Sequence, residues 1–271
     1  MQGEIATRLV GFALAFAGMA VWERLAARRR LSTPRWPRRA VNLTIMLINP
    51  LLVRLLFPVL AVTLAVEARR NGWGLFNHLD WPYAAEWITA VVLLDLAIYL
   101  QHVMFHAVPL LWRLHLVHHT DLDYDLTTGL RFHPLEAVLS MVVKLGVVAA
   151  LGPPPAAVVA FEVILNAMAL FNHGNVRMFG RADALLRLLV VTPDMHRVHH
   201  SVVIRETNSN FGFNLSAWDR LFGTYRDRPA RGHDGMTIGL AGFRDPRRLS
   251  LPRLLALPFV ADPGPQPINR H

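Results

Sequence analysis

The sequence predicts an all-α integral membrane protein, a helical bundle with about four to five hydrophobic spans and a cytoplasmic helical cap that carries clustered histidines. Three observations predict this class. Hydrophobic residues make up 53% of the 271 residues and charged residues only 17%, whereas a soluble domain carries about a quarter charged residues. The apolar residues are concentrated in long runs. Most of the 13 histidines lie in short boxes that follow those runs.

Composition also excludes several classes of protein. The chain has no cysteine, which excludes a disulfide framework, a zinc–thiolate site, an iron–sulfur cluster and thiol catalysis. Its apolar content excludes a disordered chain. The formal net charge of +9 comes from 28 basic and 19 acidic residues. In so apolar a chain this excess favours anionic lipid over nucleic acid, and no nucleic-acid partner is expected.

Five apolar runs predict the spans in order. The first, residues 5–22, is interpreted as a retained anchor, because its basic cluster follows the apolar stretch instead of preceding it as in a signal peptide. The second run covers 40–66 and the third 84–100. The fourth and fifth cover 135–151 and 156–171, and each run is near the roughly 20 residues that cross a bilayer. Because Gly-Pro-Pro-Pro joins the last two, they form either a spanning hairpin or a re-entrant one.

Arginine placement predicts the orientation of these spans. Basic loops are retained in the cytoplasm, and the loop between the first two runs carries seven arginines. From that loop, the alternation of spans places every histidine box on the cytoplasmic face. The arginines are Arg24, Arg28, Arg29, Arg30, Arg35, Arg38 and Arg39.

Two charged residues fall inside the last two runs. Lys144 and Glu162 lie nine residues on either side of Pro153, so two antiparallel helices joined there bring them to similar depth. A buried charge in lipid needs a partner, and we predict an ion pair. The alternative is that each side chain snorkels to an interface or faces a polar interior.

The histidines have the spacing of metal ligands on helices. HVMFH places two histidines at i and i+4, and HLVHH and HRVHH each place three at i, i+3 and i+4, all on one helix face. NHGN adds a single histidine. Imidazole is a preferred ligand of iron, copper, nickel and zinc. The predicted ligands are His102, His106, His115, His118, His119, His173, His196, His199 and His200.

The remaining histidines are given other roles. His133, in RFHPLE, is interpreted as a helix-start residue, an extra ligand or a residue that supports a ligand. His78, His233 and His271 lie outside the pattern and are predicted to be surface residues.

The boxes and their flanking segments resemble the membrane fatty acid hydroxylase/sterol desaturase superfamily. LWRLHLVHHTD, RFHPLE, FNHGNV, MHRVHHS and NSNFGFNLSAWDRLFGTY carry the resemblance, which covers about residues 95–225. Some members have a second histidine where this chain has Ala169, so His133 is a candidate replacement ligand. The resemblance implies a catalytic domain over 84–226, after N-terminal anchor spans (1–83) and before a cytoplasmic tail (227–271). The end of that tail, from Pro258, is expected to be poorly ordered.

The resemblance further implies two iron ions, with zinc as a possible substitute, and O₂-dependent hydroxylation or desaturation of a membrane lipid. Electrons are expected from a separate reductase or ferredoxin-type donor. Asp95, Tyr99 and Asp194 are candidate supporting or additional ligands, and Asp95 could instead pair with Arg54. Asn210, Gly212, Trp218 and Asp219 are expected to fold the closing segment over the metals.

Two other functions fit the sequence less well. A zinc hydrolase usually needs three ligands and a general base such as the glutamate of HExxH, and this chain has no HExxH. A metal-handling protein would place its ligands at mid-membrane depth, whereas these boxes follow the spans.

Overall fold

A computed structural model of the chain describes residues 2–262, 264, 265 and 268. The described part is helical and contains no strand, so the prediction of an all-α protein is confirmed. Its α-helices are α1 (Gln2–Leu25), α2 (Arg35–Leu56), α3 (Ala61–Asn71), α4 (Tyr83–Ala107), α5 (Pro109–His119), α6 (Pro134–Leu151), α7 (Pro155–Asn172), α8 (Gly180–Leu186), α9 (Pro193–His199), α10 (Ile204–Thr207), α11 (Ala217–Leu221), α12 (Gly232–Gly235) and α13 (Leu251–Val260).

Five helical segments of the described chain are long and apolar enough to cross a membrane, which confirms the four to five predicted spans. Four of them correspond to α1, α4, α6 and α7. The fifth runs over Arg35–His78 and contains the predicted span 40–66, which the structure divides into α2 and α3. The break falls at Phe57 and Pro58, because proline has no N–H for a helical bond and its ring obstructs the preceding turn.

The fourth and fifth spans form a tight hairpin. Each is 18 residues long, or about 27 Å, close to the roughly 30 Å thickness of the hydrocarbon core. Gly152 ends α6 in a left-handed conformation (φ 61°), and a Cβ there would lie 2.1 Å from the Trp73 carbonyl oxygen. The prolines that follow start α7.

The predicted ion pair inside the hairpin is confirmed. Lys144 Nζ lies 3.1 Å from Glu162 Oε1. The structure adds a partner that the sequence pattern does not indicate, because Arg8 of α1 reaches the other carboxylate oxygen at 2.6 Å. α1 therefore packs against α7 with a charged contact inside the bundle.

A polar network ties the N-terminal helices to the segment after α5. The buried carboxylate of Glu23 accepts hydrogen bonds from the backbone N–H groups of Leu126 (2.6 Å) and Asn175 (2.9 Å). Arg38 of α2 pairs with Asp121 at 2.6 Å. These contacts position the segment that follows HLVHH at the end of α5 and the segment that follows His173.

The C-terminal part of the described chain is packed, and the expected poor order from Pro258 is wrong up to the end of α13. Leu254 and Leu257 of α13 are buried in a core cluster with α2 and α5. Pro258 lies inside that helix. His78 is exposed as predicted, but His233 is half-buried because its ring faces Asp194 at 3.7 Å. His271 lies outside the described residues.

Candidate metal centre

Five histidines form a first cluster where α4, α5 and α9 meet. One ring nitrogen of each lies within 4.8 Å of the others. The i and i+4 spacing puts His102 and His106 on one face of α4. α5 starts at Pro109, directly after α4, and packs against it. The first cluster consists of His102, His106, His115, His119 and His199.

Four histidines form a second cluster beside the first. The Nε2 atom of His118 lies 3.1 Å from that of His200 and 3.2 Å from that of His173. The Nε2 atoms of His173 and His196 are also 3.2 Å apart. The two clusters adjoin, because the ring centroids of His119 and His200 are 4.7 Å apart. The second cluster consists of His118, His173, His196 and His200.

All nine predicted ligands therefore lie in the two clusters, and each is buried, with 7% or less of its surface exposed. α9 can start where it does because Thr192 caps it, accepting a hydrogen bond from Met195 N, and Pro193 occupies the first turn. His173 directly follows the last residue of α7 and caps that helix.

Oxygen atoms behind the clusters orient five of the rings. Carbonyl and carboxylate oxygens only accept hydrogen bonds, so the facing Nδ1 carries the proton and the Nε2 lone pair points into the cluster. The five pairs are His102 with Phe211 O (2.8 Å), His106 with Asn208 Oδ1 (3.1 Å), His115 with Glu136 Oε1 (2.7 Å), His173 with Ala169 O (2.8 Å) and His199 with Ser209 O (2.8 Å).

Ala169 thus takes part in the site through its backbone. Some members of the superfamily that the boxes resemble have a histidine side chain where this chain has Ala169. In this chain the Ala169 carbonyl oxygen instead orients the ring of His173. Gly129 makes this possible, because its Cα packs so close that a Cβ would lie 2.4 Å from the same oxygen.

Burial lowers the pKa of six clustered histidines that lie outside the spans. It lowers the pKa of His173 to about 3 and that of His199 to about 3. Removal from water disfavours the charged ring, and neighbouring imidazoles add repulsion. The same two causes lower the pKa well below its usual value in His118, His119, His196 and His200.

The clusters fit metal ions. Four buried Nε2 atoms have no hydrogen-bond partner among the described residues: those of His106, His115, His119 and His199. Buried polar atoms are nearly always partnered, so these converging nitrogen atoms are suited to bind a metal ion. Two nitrogens about 2.1 Å from one divalent ion lie roughly 3.0–3.4 Å apart, and the spacing in the second cluster is 3.1–3.2 Å.

The segment 208–224 folds over the clusters, as its motif predicts. Asp219 organises it, accepting hydrogen bonds from Phe211 N (2.7 Å), Gly212 N (2.8 Å) and the Thr224 hydroxyl (2.6 Å). A Cβ on Gly212 would lie 2.6 Å from Asp219 Oδ2. Asn210 adopts a positive φ of 53° and donates to two backbone carbonyls. The segment thereby directs carbonyls toward the histidines.

Two of the predicted supporting residues act on this segment and not on the imidazoles. Asp95 of α4 accepts hydrogen bonds from Leu215 N (3.0 Å) and Trp218 Nε1 (2.9 Å), so its partners are these and not Arg54. The Tyr99 hydroxyl lies 2.9 Å from that of Thr224. Both residues therefore support the clusters indirectly.

The other two candidates lie outside the clusters. Asp194 pairs with Arg197 and faces Arg28 at 3.6 Å. His133 caps α6: its Nδ1 accepts from Leu135 N at 3.2 Å and its Nε2 donates to Leu255 O at 3.1 Å. Both of its nitrogens are engaged, so the expectation that His133 is an extra ligand is wrong and the helix-start interpretation holds.

Sequence reasoning missed some contributors. Asn208 and Ser209 orient histidines, and Tyr124 lies against the second cluster, with its ring centroid 5.1 Å from that of His200 and its hydroxyl donating to Asn172 O. Backbone acceptors such as Ser209 O leave no side-chain signal. Tyr124 stands in the DLDYD run, five residues after the second box, and only its proximity to that box could have indicated it.

A cavity of about 420 Å³ leads to the histidines. His102, His115, His118 and His196 lie at its inner end, and the Phe132 ring stacks on His118 with centroids 4.3 Å apart. Much of the wall is apolar and comes from the spans. The centre can therefore receive a ligand from the membrane-embedded part of the bundle.

Comparisons with known proteins agree with this architecture. Residues 87–224 match the family model described as fatty acid hydroxylase. The chain is 32% identical over 190 residues to the ornithine lipid hydroxylase OlsE of Rhizobium tropici, covering 69% of this chain and 54% of the relative. It is 29% identical over 196 residues to human alkylglycerol monooxygenase, covering 72% of this chain and 42% of the relative. The match thus spans about half the length of these relatives. No solved structure matches the chain.

Proposed function

The chain belongs to the fatty acid hydroxylase family, and from this premise we propose that it is a membrane oxidoreductase that hydroxylates a C–H bond of a membrane lipid. One observation carries the proposal: two adjoining clusters of buried histidines lie beside a cavity among apolar spans. Relatives named as a lipid hydroxylase and a monooxygenase favour hydroxylation over desaturation.

The clusters would hold two iron ions, one in each. The first would use His102, His106, His115, His119 and His199, and the second His118, His173, His196 and His200. When bound, iron would supply the redox chemistry that activates O₂ for attack on an unactivated C–H bond. Zinc could occupy the same nitrogens but would not support that chemistry.

The chain's own residues prepare the reaction. Glu136 holds the proton on His115 Nδ1, and the negative charge behind the ring makes its Nε2 a stronger donor to metal. Asp219 holds the closing segment over the histidines and so limits access of water. The cavity positions a lipid chain against the inner histidines.

The proposal also includes the source of electrons and the side of the membrane on which the histidines lie. The sequence contains no flavin, haem or dinucleotide motif, so a separate reductase or ferredoxin-type donor would supply electrons. The arginine-rich loop puts the histidines on the cytoplasmic side of a multi-pass protein, where an acidic donor can dock. Within this scheme 84–226 is the catalytic part, 1–83 the membrane anchor and 227–271 the cytoplasmic tail.

Metal analysis and lipid profiling test the proposal. Anaerobically purified protein is expected to contain about two irons per chain. Cells that express the chain should contain a hydroxylated lipid that disappears with His118→Ala, while His78→Ala, an exposed histidine outside the clusters, should retain it. A zinc-containing protein that is active without O₂ would point to a hydrolase, and an unchanged lipidome with altered cellular metal to a metal-handling protein.

A further inference from the structure

Three charged side chains meet inside the bundle. Glu162 on α7 binds Lys144 on α6 at 3.1 Å and Arg8 on α1 at 2.6 Å. Their side chains are between 12% and 26% exposed. All three line the cavity that leads to the histidines. We call them the charged triad.

The triad lies well away from the metal centre. Glu136, which binds His115, and Lys144 are eight residues apart on α6, which corresponds to about 12 Å along the helix axis. Lys144 is near the middle of the span. Between the two positions α6 contributes Ala137, Ser140 and Met141 to the cavity wall, and Ser140 accepts a hydrogen bond from Gln101 at 2.9 Å. The cavity therefore has a histidine end and a charged end, separated by uncharged side chains.

The charges of the triad do not cancel. Among the described side chains, two cations face one carboxylate, and Arg54 adds a third cation to the cavity lining. The second carboxylate in the lining, Glu136, is engaged with His115. Arg8 Nε is buried without a hydrogen-bond partner among the described residues. An uncompensated cation inside a span is costly, and such residues mark the path of a charged ligand.

A purely structural ion pair does not explain this arrangement. One cation suffices to neutralise Glu162, and the second leaves a positive charge facing the cavity. An anion would balance it, because a carboxylate or phosphate accepts charge-assisted hydrogen bonds from both guanidinium and ammonium groups.

We propose that Arg8 and Lys144 bind the anionic oxygen group of the lipid substrate, a carboxylate or a phosphate, and that Glu162 holds the two cations in position. This inference rests on the proposed function, since it takes the cavity as the substrate site. It also sets the reaction position: with the head group held about 12 Å from Glu136, the carbon at the histidines lies well down the chain and not next to the head group.

Binding to the purified full-length chain in neutral detergent tests the inference without requiring turnover. The probes share one chain length: hexadecanoate, hexadecyl phosphate and the uncharged hexadecanol. We expect both anions to bind at least roughly tenfold more tightly than the alcohol, as for a charge-assisted hydrogen bond. Whichever anion binds more tightly identifies the head-group chemistry.

Variants distinguish a binding site for the lipid head group from an ion-pair cluster that only stabilises the bundle. Arg8→Met and Lys144→Met should each abolish the preference for anions, whereas Arg8→Lys should retain it. Glu162→Gln removes the negative charge that competes with the anion but keeps a side-chain oxygen that can accept hydrogen bonds from both cations, so anion binding should strengthen. Arg70→Met, an exposed arginine paired with Glu67, is the matched control and should behave like the parent protein.

The inference is overturned if the three probes bind equally, or if the preference for anions survives in either methionine variant. The inference is also overturned if Glu162→Gln loses anion binding together with thermal stability. That result would indicate that the triad only stabilises the packing of the helices. Because binding is measured directly, anion binding in a chain that proves to lack iron would refute the proposed function and leave the anion site standing.

Discussion

Gly129→Ala is expected to damage the second histidine cluster specifically. Gly129 lies in the turn before α6, and a Cβ there would lie 2.4 Å from the Ala169 carbonyl oxygen and 2.9 Å from His173 Nδ1. Those are the two atoms of the hydrogen bond that orients His173. The nearest atom belongs to the backbone of α7, so it cannot move aside as a flexible side chain would.

The expected cost has two parts. Forcing a methyl group into a closely packed site costs roughly 1–3 kcal/mol. Loss of a hydrogen bond to a buried ring costs roughly 1–3 kcal/mol. Taking about 1.5 kcal/mol for each, the variant should lose about 3 kcal/mol of stability. At about 2–4 °C per kcal/mol, its Tm should fall by roughly 6–12 °C.

Thermal unfolding in detergent and metal content per chain are the two measurements. Gly146→Ala is the matched control, because a Cβ at this exposed glycine of α6 meets no atom within 4 Å. It should stabilise the helix by about 0.5–1 kcal/mol. Gly129→Ala should also lose close to half of the bound metal. A Gly129→Ala protein as stable as Gly146→Ala, with full metal content, would refute the packing argument.

Three further predictions concern the support of the clusters. Glu136→Gln should weaken metal binding by roughly 10–100-fold, because His115 loses its charged partner. Glu67→Gln, at an exposed site, should have no effect, and equal metal retention by the two would contradict the assigned role. Trp218→Phe removes the Nε1–H that Asp95 accepts and should cost about 1–3 kcal/mol in thermal unfolding. An unchanged Tm would show that Leu215 N alone satisfies Asp95. Finally, the metal-free protein should lose stability as the pH falls from about 6.5 toward 3. Because burial lowers the pKa of His173 and His199 to about 3, the unfolded chain binds more protons in that window, and each such histidine lowers the unfolding free energy by up to about 1.4 kcal/mol per pH unit. Equilibrium unfolding between pH 7 and 5 measures this, and a flat profile would exclude neutral buried rings.

The sequence predicted the spans and a grouping of the nine boxed histidines, which the structure brings together, because both signals are periodic and local. A run of about 20 apolar residues has few alternatives to a membrane helix, and the symmetric placement of Lys144 and Glu162 about Pro153 was enough to predict their contact. The i, i+3, i+4 spacing put each box on one helix face before any packing was known.

The predictions failed where the answer depended on long-range packing. His133 was a candidate ligand because of its neighbours in sequence, but α13 supplies a backbone acceptor, Leu255 O, that engages its Nε2. Asp95 could have paired with Arg54 by depth alone, whereas the closing segment supplied its partners. The poor order expected from Pro258 was inferred from composition, whereas the structure continues α13 through a buried Pro258 to Val260.

The sequence by itself determined the all-α class, the spans and the nine histidines, since each follows from residue type and spacing within one helix or loop. Only the tertiary structure decided how those histidines divide into groups of five and four, which oxygens hold their rings, and that Arg8 joins Lys144 and Glu162 at the cavity. The physical reason is the same in each case. Ring orientation and charge balance depend on atoms from helices distant in sequence, such as the backbone carbonyls of Ala169 and Phe211, and these atoms carry no side-chain signal.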